Sequence, residues 1–191
     1  MSALPTVPLN VVAVSGNMHR PSKSRALAAH VSEAIAARAR IDVRSFDLVD
    51  AGPGLGAFVR TGLSPDARKV LEAIENAEAL IVSAPVYKGS YPGLLKHLFD
   101  FVDPTALVGK PVLLAAVGGG LRHALVIEHQ LRPLFGFFSA LTVPTAVYAA
   151  DSNFIDGVII DPVVKERIDL AVSQFVALLK TVDRKVAVEL A

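Results

Sequence analysis

Residues 9–24 read LNVVAVSGNMHRPSKS, an apolar segment of strand length that runs into a loop rich in hydroxyls and cations. Its first part, Leu9–Ser15, is apolar almost throughout, which is typical of strands buried on both faces of a parallel sheet. Leu27, Val31 and Ile35 recur at helical spacing just after the loop. A buried strand, a polar loop and a helix in this order predict the first βαβ unit of an α/β protein.

The same alternation of strand and helix patterns continues along the chain. Four further segments have the length and composition of strands: Ile41–Leu48, Ala79–Ala84, Pro111–Val117 and Leu141–Tyr148. Helical patterns lie between and after the strands: Ser24–Arg40, Ser64–Asn76, Tyr91–Val102, His123–Ala140 and Asp161–Arg184. Val49–Leu63, which is rich in Gly and Pro, is predicted to be a loop. We therefore predict an α/β fold with a doubly wound five-stranded parallel sheet and helices on both faces, in a single domain over residues 1–191.

The composition excludes several classes of protein. Hydrophobic residues make up 52% of the 191 residues and charged residues 19%, which excludes a disordered chain. A net charge of +1 gives no overall attraction to nucleic acid or to an anionic membrane. Because the chain has no cysteine, disulfides, thiolate-bound metals and a thiol nucleophile are excluded.

We expect a cytoplasmic protein. The longest apolar run, Pro111–Leu121, has about half of the roughly 20 residues that a membrane-spanning helix needs. No Lys or Arg precedes Arg20, so the N-terminal segment lacks the basic region of a signal peptide.

The loop after the first strand combines the donors that an anion needs. Open α/β sheets bind ligands at the carboxyl ends of their strands, and backbone N–H groups at a helix N-terminus attract negative charge. Ser22 and Ser24 add hydroxyls, while Arg20 and Lys23 add positive charge. The spacing fits neither a Walker A loop nor Gly-x-Gly-x-x-Gly. The loop predicts a phosphate site, with a simple N-cap at Ser22 as the alternative.

Two further loops at the same predicted edge suit a flat ring. Residues 85–93 read PVYKGSYPG, in which Tyr87 and Tyr91 are aromatic and the glycines let a backbone approach a ligand. Gly118–Gly120 is a run of three glycines at the end of a strand, which indicates a ligand lying against the main chain. A Pro/Gly-rich turn and a tight turn, respectively, are the alternatives.

Three stretches, Ser15–Ser24, Ala84–Lys96 and Gly118–Gly120, resemble the NAD(P)H-dependent FMN reductases of the flavodoxin-like fold. The likeness is strongest to the reductases of two-component alkanesulfonate and methanesulfonate monooxygenase systems, and it extends over Val11–Phe175. The resemblance implies that a hydride passes from NADH or NADPH to N5 of FMN. It also implies that reduced FMN leaves for a partner monooxygenase.

The resemblance further implies which residues hold FMN. Residues 15–24 would take the phosphate, and the ring would lie between residues 85–90 and 118–120. The implied set is Ser15, Asn17, His19, Arg20, Ser22, Lys23, Ser24, Pro85, Val86, Tyr87, Lys88, Gly89, Ser90, Gly118, Gly119 and Gly120. Many relatives have Ser-x-Arg in the first loop where this chain has Asn17-Met18-His19, so Arg20 or Lys23 is the candidate for the cation on the phosphate.

Two alternatives of different classes stay open at this point. One is an enzyme that keeps FMN bound and passes electrons to a quinone, an azo dye or a metal oxyanion. The other is a flavodoxin-like electron carrier without a nicotinamide site, and the net charge of +1 argues against it because flavodoxins tend to be acidic.

The helices near the third loop carry more apolar groups than one face can bury, which predicts a homodimer or homotetramer. The residues in excess include Leu131, Leu134, Phe135, Phe137, Phe138 and Leu141. Pro133 predicts a kink or bulge just before it. Some relatives that use FMN as a substrate carry a Tyr on a one-residue helical insertion at the matching place. Here the residue is His129, and our hypothesis is that it lies at the interface and keeps flavin exchange fast, the alternative being a packing role.

Several polar residues are not expected to be functional. The spacing of His123, Glu128 and His129 does not match that of zinc peptidases, so we expect no metal site. Ser83 and Ser139 lack the context of a nucleophile. The remaining candidates are expected to be caps, solvated charges or packed groups: Asp47, Asp50, Asp100, Asp103 and His97.

Overall fold

The computed structural model describes residues 7–189, with side chains through residue 181. Its centre is a parallel sheet of the strands β1 Leu9–Ser15, β2 Ile41–Asp47, β3 Ala79–Pro85, β4 Pro111–Gly118, β5 Leu141–Thr142 and β6 Val147–Ala150. The spatial order is β2-β1-β3-β4-β5, and β6 also pairs with β4. This is the order of flavodoxin-like sheets, with the topological switch point between β1 and β3. The predicted fold class is confirmed.

Helices cover both faces of the sheet: α1 Lys23–Ala36, α2 Leu48–Ala51, α3 Pro65–Glu75, α4 Gly93–Asp100, α5 Arg132–Phe137 and α6 Pro162–Glu189. In β1, Val11 and Ala13 pack with residues of α1 and α6, while Val12 and Val14 pack with residues of α2 to α5. Successive side chains of a strand point to opposite faces, so a strand that is apolar throughout needs a helix layer on each side. The sequence of β1 thus explains its central place.

The segment predicted as a loop, Val49–Leu63, contains short helices. Asp47 and Asp50 form a capping box at the start of α2, in which each carboxylate accepts from the backbone N–H of the other, at 3.2 and 2.9 Å. Gly52 ends this helix with a φ of 66°. Two 3-10 turns follow, at Pro53–Gly56 and Arg60–Gly62. The prediction of a plain loop is therefore wrong, and its Gly and Pro residues end and begin short helical turns.

The helix predicted over His123–Ala140 is also interrupted. A 3-10 turn at Leu121–His123 is followed by a π-helical turn at Ile127–Leu131 and then by α5. Pro133 has no N–H with which to continue an α-helical ladder, so the turn before it widens. The bulge predicted just before Pro133 is confirmed.

The fifth strand, predicted over Leu141–Tyr148, is broken into β5 and β6. The Val143 N–H still donates to the Val112 carbonyl at 2.9 Å, but Pro144 has no N–H, and pairing with β4 resumes at Val147. The antiparallel hairpin of β7 Phe154–Ile155 and β8 Val158–Ile159 is an addition to the predicted strands. None of the described helices is both long and apolar enough to cross a membrane.

Candidate functional site

The carboxyl ends of the central strands meet around a cleft of about 320 Å³. Its lining contains much of the predicted site: Asn17, His19, Ser22, Lys23, Ser24, Pro85, Val86, Tyr87, Gly118 and Gly119. Three further residues line it that the sequence pattern does not single out: Pro21, Val117 and Asp151. The other residues implied by the resemblance lie outside the lining: Ser15, Arg20, Lys88, Gly89, Ser90 and Gly120.

The N-terminus of α1 brings hydroxyl and N–H donors to one end of the cleft. Ser22 is the N-cap, and its Oγ accepts from the Arg25 N–H at 3.4 Å. The Oγ of Ser24 lies 2.9 Å from that of Ser22 and accepts from the buried Ser15 hydroxyl at 3.0 Å. The first N–H groups of a helix have no partner within the helix. Ser22 is therefore both a cap and a residue of the cleft, and this end of the cleft suits an anion.

Asp47, at the end of β2, is hydrogen-bonded to the loop after β1. Its side chain is fully buried. Asn17 Nδ2 donates to Asp47 at 3.0 Å, and Arg25 donates to it at 2.8 Å. Arg20 donates to both of its oxygens at 2.8 Å through Nε and Nη2. The prediction of a cap is confirmed for Asp47, but the prediction of a solvated charge is wrong, because two arginines from the loop and from α1 enclose it.

This network decides the charge state of the groups beneath the cleft. Burial alone raises the pKa of Asp47, but hydrogen bonds from Arg20, Asn17 and Arg25 outweigh burial and hold that pKa well below its ordinary value. Hydrogen bonds to Asp47 and Asp50 raise the pKa of Arg20 in turn. Arg20 is thus a cation with two carboxylate partners, and it does not line the cleft.

The second loop forms a tight turn beside the cleft. Tyr87 and Ser90 exchange backbone hydrogen bonds of 2.7 and 3.1 Å, and the two residues between them, Lys88 and Gly89, have φ of 53° and 87°. Two successive residues with positive φ require a permissive residue such as glycine. Tyr87 lines the cleft, whereas Lys88 to Ser90 form the turn that holds it, as the alternative interpretation of this loop states.

The three glycines of the third loop differ in their surroundings. A Cβ on Gly118 would lie 2.3 Å from Tyr148 Oη, which donates to the Gly120 carbonyl at 2.6 Å. A Cβ on Gly119 would meet no atom of the described residues within 4 Å. A side chain on Gly118 would therefore displace the Tyr148 hydroxyl, whereas Gly119 leaves open space in the cleft.

One ion pair crosses the cleft. Lys23, the first residue of α1, lies 3.0 Å from Oδ1 of Asp151, the residue that follows β6. The side chains are 43% and 54% exposed. Lys23 is thus the cation that the first loop presents to the cleft, and it faces a carboxylate.

His129 lies apart from this cleft. It belongs to the π-helical turn and lines a second groove, of about 560 Å³, together with Tyr91, Phe99 and Phe137. Its neighbour Gln130 accepts a hydrogen bond from the Ser90 hydroxyl at 3.4 Å. The π-helical turn therefore contacts the loop that carries Tyr87.

Four of the residues set aside in the sequence have structural contacts. Glu128 accepts from Arg132 Nη2 at 2.9 Å, and His97 Nε2 lies 2.9 Å from the Ala57 carbonyl. Asp100 pairs with Lys96 and Asp103 accepts from the Thr105 N–H. Within the described part of the chain, no group of three or more His, Asp or Glu side chains is arranged to hold a metal ion.

The donor set of the cleft fits a flavin mononucleotide. Hydroxyls, helix N–H groups and Lys23 at one end suit a phosphate, and the open floor at Gly119 beside Val86 and Tyr87 suits a planar ring. Asn17 is buried, and its Oδ1 has no hydrogen-bond partner among the described residues. It is an acceptor that a ligand hydroxyl can satisfy.

The sheet order and a cleft with hydroxyl and N–H donors beside the switch point are those of a flavodoxin-like protein. The model of the NADPH-dependent FMN reductase family matches residues 9–154, and the chain belongs to this family. It is an NAD(P)H-dependent FMN reductase, an oxidoreductase that uses FMN and a reduced nicotinamide nucleotide.

Individual proteins agree with this assignment. The chain is 48% identical over 167 residues to a Pseudomonas aeruginosa protein named FMN reductase (NADPH), covering 87% of this chain and 90% of that one. It is 48% identical over 175 residues to the NADH-dependent FMN reductase SfnF of Pseudomonas fluorescens, covering 91% and 94%. A solved structure of the apo form of the NADH:FMN oxidoreductase EmoB matches with a TM-score of 0.79 at 31% identity, over 87% of this chain and 88% of that one.

Replacing the buried carboxylate tests the network beneath the cleft. We expect Asp47→Asn to lower the free energy of unfolding at pH 7 by about 3 kcal/mol, because two arginines lose their partner. The folded pKa of Asp47 is lowered, so its contribution is complete above the unfolded pKa of about 4 and is lost as the pH falls below it. Urea unfolding from pH 7 to 2.5 should therefore show that the parent's higher free energy of unfolding, relative to Asp47→Asn, declines below about pH 4. An advantage that stayed constant over this range would contradict the assignment.

Proposed function

We propose that this single-domain reductase, residues 1–191, binds FMN in the cleft as an exchangeable substrate and supplies reduced FMN to a partner monooxygenase of the sulfonate type. The observation that carries the proposal is the cluster of Ser22, Ser24 and free helix N–H groups at the end of β1. Its position beside the switch point is where flavodoxin-like proteins bind ligands. The cytoplasm contains NADH and NADPH, and we place the enzyme there.

The phosphate end of the site depends on three kinds of donor. The hydroxyls of Ser22 and Ser24 donate to phosphate oxygens, and the first N–H groups of α1 add the positive end of the helix dipole. Lys23 supplies the cation, because Arg20 is already held by two carboxylates. Of the two candidates from the sequence, Arg20 and Lys23, we therefore propose Lys23.

The ring end of the site depends on shape. The ring would lie between Pro85–Tyr87 and Gly118–Gly119, all of which line the cleft. Bound FMN supplies the hydride acceptor, N5, so the protein needs to stack two rings rather than to provide a strong acid or base. The N–H groups of Gly119 and Gly120 are the donors available for the negative charge that reduction places near N1 and O2.

The second groove is the surface that we propose for self-association as a homodimer or homotetramer. Of the apolar residues that prompted this expectation, Leu131, Phe135 and Phe138 are buried within the chain. Phe137 is 70% exposed and Leu141 is 43% exposed. A smaller apolar surface than the sequence implies is therefore left for a second copy, and His129 lines the groove beside it.

A charge placed at the helix cap tests the phosphate site. We expect Ser22→Asp to weaken FMN binding by about 2–3 kcal/mol, roughly 100-fold in the dissociation constant, because it sets a carboxylate against the phosphate. Ser22→Asn is the matched control, since Asn and Asp are equally good N-caps but only Asp is charged. Flavin fluorescence titration of both variants measures this. Equal dissociation constants for the two variants would exclude a phosphate at Ser22.

Side chains on the third loop separate packing from ligand contact. Gly119→Val should leave the free energy of unfolding within about 1 kcal/mol of the parent and abolish FMN reduction, because the new side chain occupies the open cleft. Gly118→Ala should instead lower the free energy of unfolding by about 1–3 kcal/mol, since its Cβ collides with the Tyr148 hydroxyl. Urea unfolding and steady-state NADH and NADPH oxidation give the two readouts. Normal FMN reduction by Gly119→Val would refute the ring position.

Removing the imidazole of His129 tests its role in exchange. If the residue keeps flavin exchange fast, His129→Ala should purify with FMN bound and show its visible absorption, and turnover of added FMN should fall. A colourless protein that turns over FMN like the parent would leave His129 only a packing role in the groove.

Light scattering tests the self-association surface. We expect the parent at micromolar concentration to scatter as a dimer or tetramer. Phe137→Lys should shift it toward the mass of one chain without unfolding it, because the ring is mostly exposed. A parent that already has the mass of one chain would refute the proposal.

A further inference from the structure

A carboxylate stands where an anion-binding site would not be expected to have one. Asp151 lines the same cleft as Ser22 and Ser24, and its Oδ1 is 3.0 Å from the ammonium of Lys23. Lys23 is the cation available there, because Arg20 and Arg25 are paired with Asp47 and with Asp50. The positive charge that a phosphate needs is thus shared with an internal carboxylate.

The backbone around Asp151 is held in place by the fold. The preceding residue, Ala150, pairs with Gly118 of β4, and its N–H donates to Asn153 Oδ1 at 2.7 Å. Asn153 Nδ2 donates in turn, at 2.7 Å, to the carboxylate of Asp161, and this carboxylate caps α6. Two elements therefore fix the turn that carries Asp151, so the residue stays beside the cleft whether or not Lys23 is paired with it.

The pair can be broken easily, but the carboxylate charge remains. Ion pairs between partly exposed side chains contribute roughly 0–1 kcal/mol, so a phosphate can take Lys23 from Asp151. Once the phosphate is bound, Asp151 is a like charge close to it and opposes it. Both effects weaken binding of the phosphate and neither acts on a ligand that lacks one.

We propose that Asp151 sets the affinity for flavin mononucleotide: it competes with the phosphate for Lys23, repels it, and so keeps the flavin exchangeable. The inference rests on the proposed phosphate site. Oxidised and reduced FMN carry the same phosphate, so the carboxylate weakens the binding of both forms. A reductase that releases its product to a second enzyme needs this weakening on the reduced form above all.

The test compares FMN with riboflavin, which has the same ring and no phosphate. For Asp151→Asn, flavin fluorescence titration should give a dissociation constant for FMN about tenfold lower than that of the parent. Its dissociation constant for riboflavin should equal that of the parent. Stopped-flow displacement should show a correspondingly slower release of FMN. Asp156→Asn, at the turn of the β7–β8 hairpin, makes the same change of net charge outside the cleft lining and should leave both constants unchanged.

Two results overturn the inference. One is an FMN dissociation constant for Asp151→Asn that is unchanged or higher. The other is an equal tightening of riboflavin, which would mean that the effect does not act on the phosphate. Measuring Ser22→Asp in the same series distinguishes a wrong role for Asp151 from a wrong phosphate site. If Ser22→Asp weakens FMN binding while Asp151→Asn leaves it unchanged, the site stands and only the role of Asp151 falls; if neither variant changes it, both fall.

Discussion

The geometry of the cleft depends on the hydrogen bonds and ion pairs of the buried Asp47 carboxylate. An ionised carboxylate that is shielded from water is strongly unfavourable unless it is paired. Asp47 is paired with Asn17, Arg20 and Arg25. The partners come from the loop after β1 and from α1, while Asp47 itself ends β2 and caps α2. One side chain therefore ties together two adjacent strands, the loop between β1 and α1, and the first turn of α1. The N–H groups and hydroxyls that suit a phosphate are positioned by that connection.

The two charge clusters around the cleft have opposite physical characters. The Asp47 carboxylate is buried and hydrogen-bonded to Asn17, Arg20 and Arg25, and this pairing removes the two arginines from competition for a ligand. The pair of Lys23 and Asp151 is partly exposed and easily broken. In our proposal the paired Asp47 cluster fixes the geometry of the phosphate site, and the weak ion pair between Lys23 and Asp151 keeps the affinity for FMN modest. This combination suits an enzyme whose flavin is bound, reduced and released.

Much of the fold followed from local patterns. The apolar strands, the helix spacing and the bulge before Pro133 are properties of short segments, and the loops after β1, β3 and β4 follow from the parallel topology. The sequence does not indicate that Arg20 is held away from the cleft. Its partner Asp47 is distant in sequence, and local composition gives no sign of the ion pair. Asp151 was missed because Pro144 breaks the fifth strand and the pattern ended the strand at Tyr148. Open α/β sheets bind ligands at the carboxyl ends of their strands, and this rule points to Asp151 once the last strand is taken to end at Ala150.

A crystal structure of the protein soaked or grown with FMN tests most directly whether the phosphate of FMN lies at the N-terminus of α1. We predict phosphate oxygens about 3 Å from the hydroxyls of Ser22 and Ser24, with the ring over Gly119. Electron density for the phosphate in the groove beside His129, or at the guanidinium of Arg20 with Asp47 displaced, would contradict it.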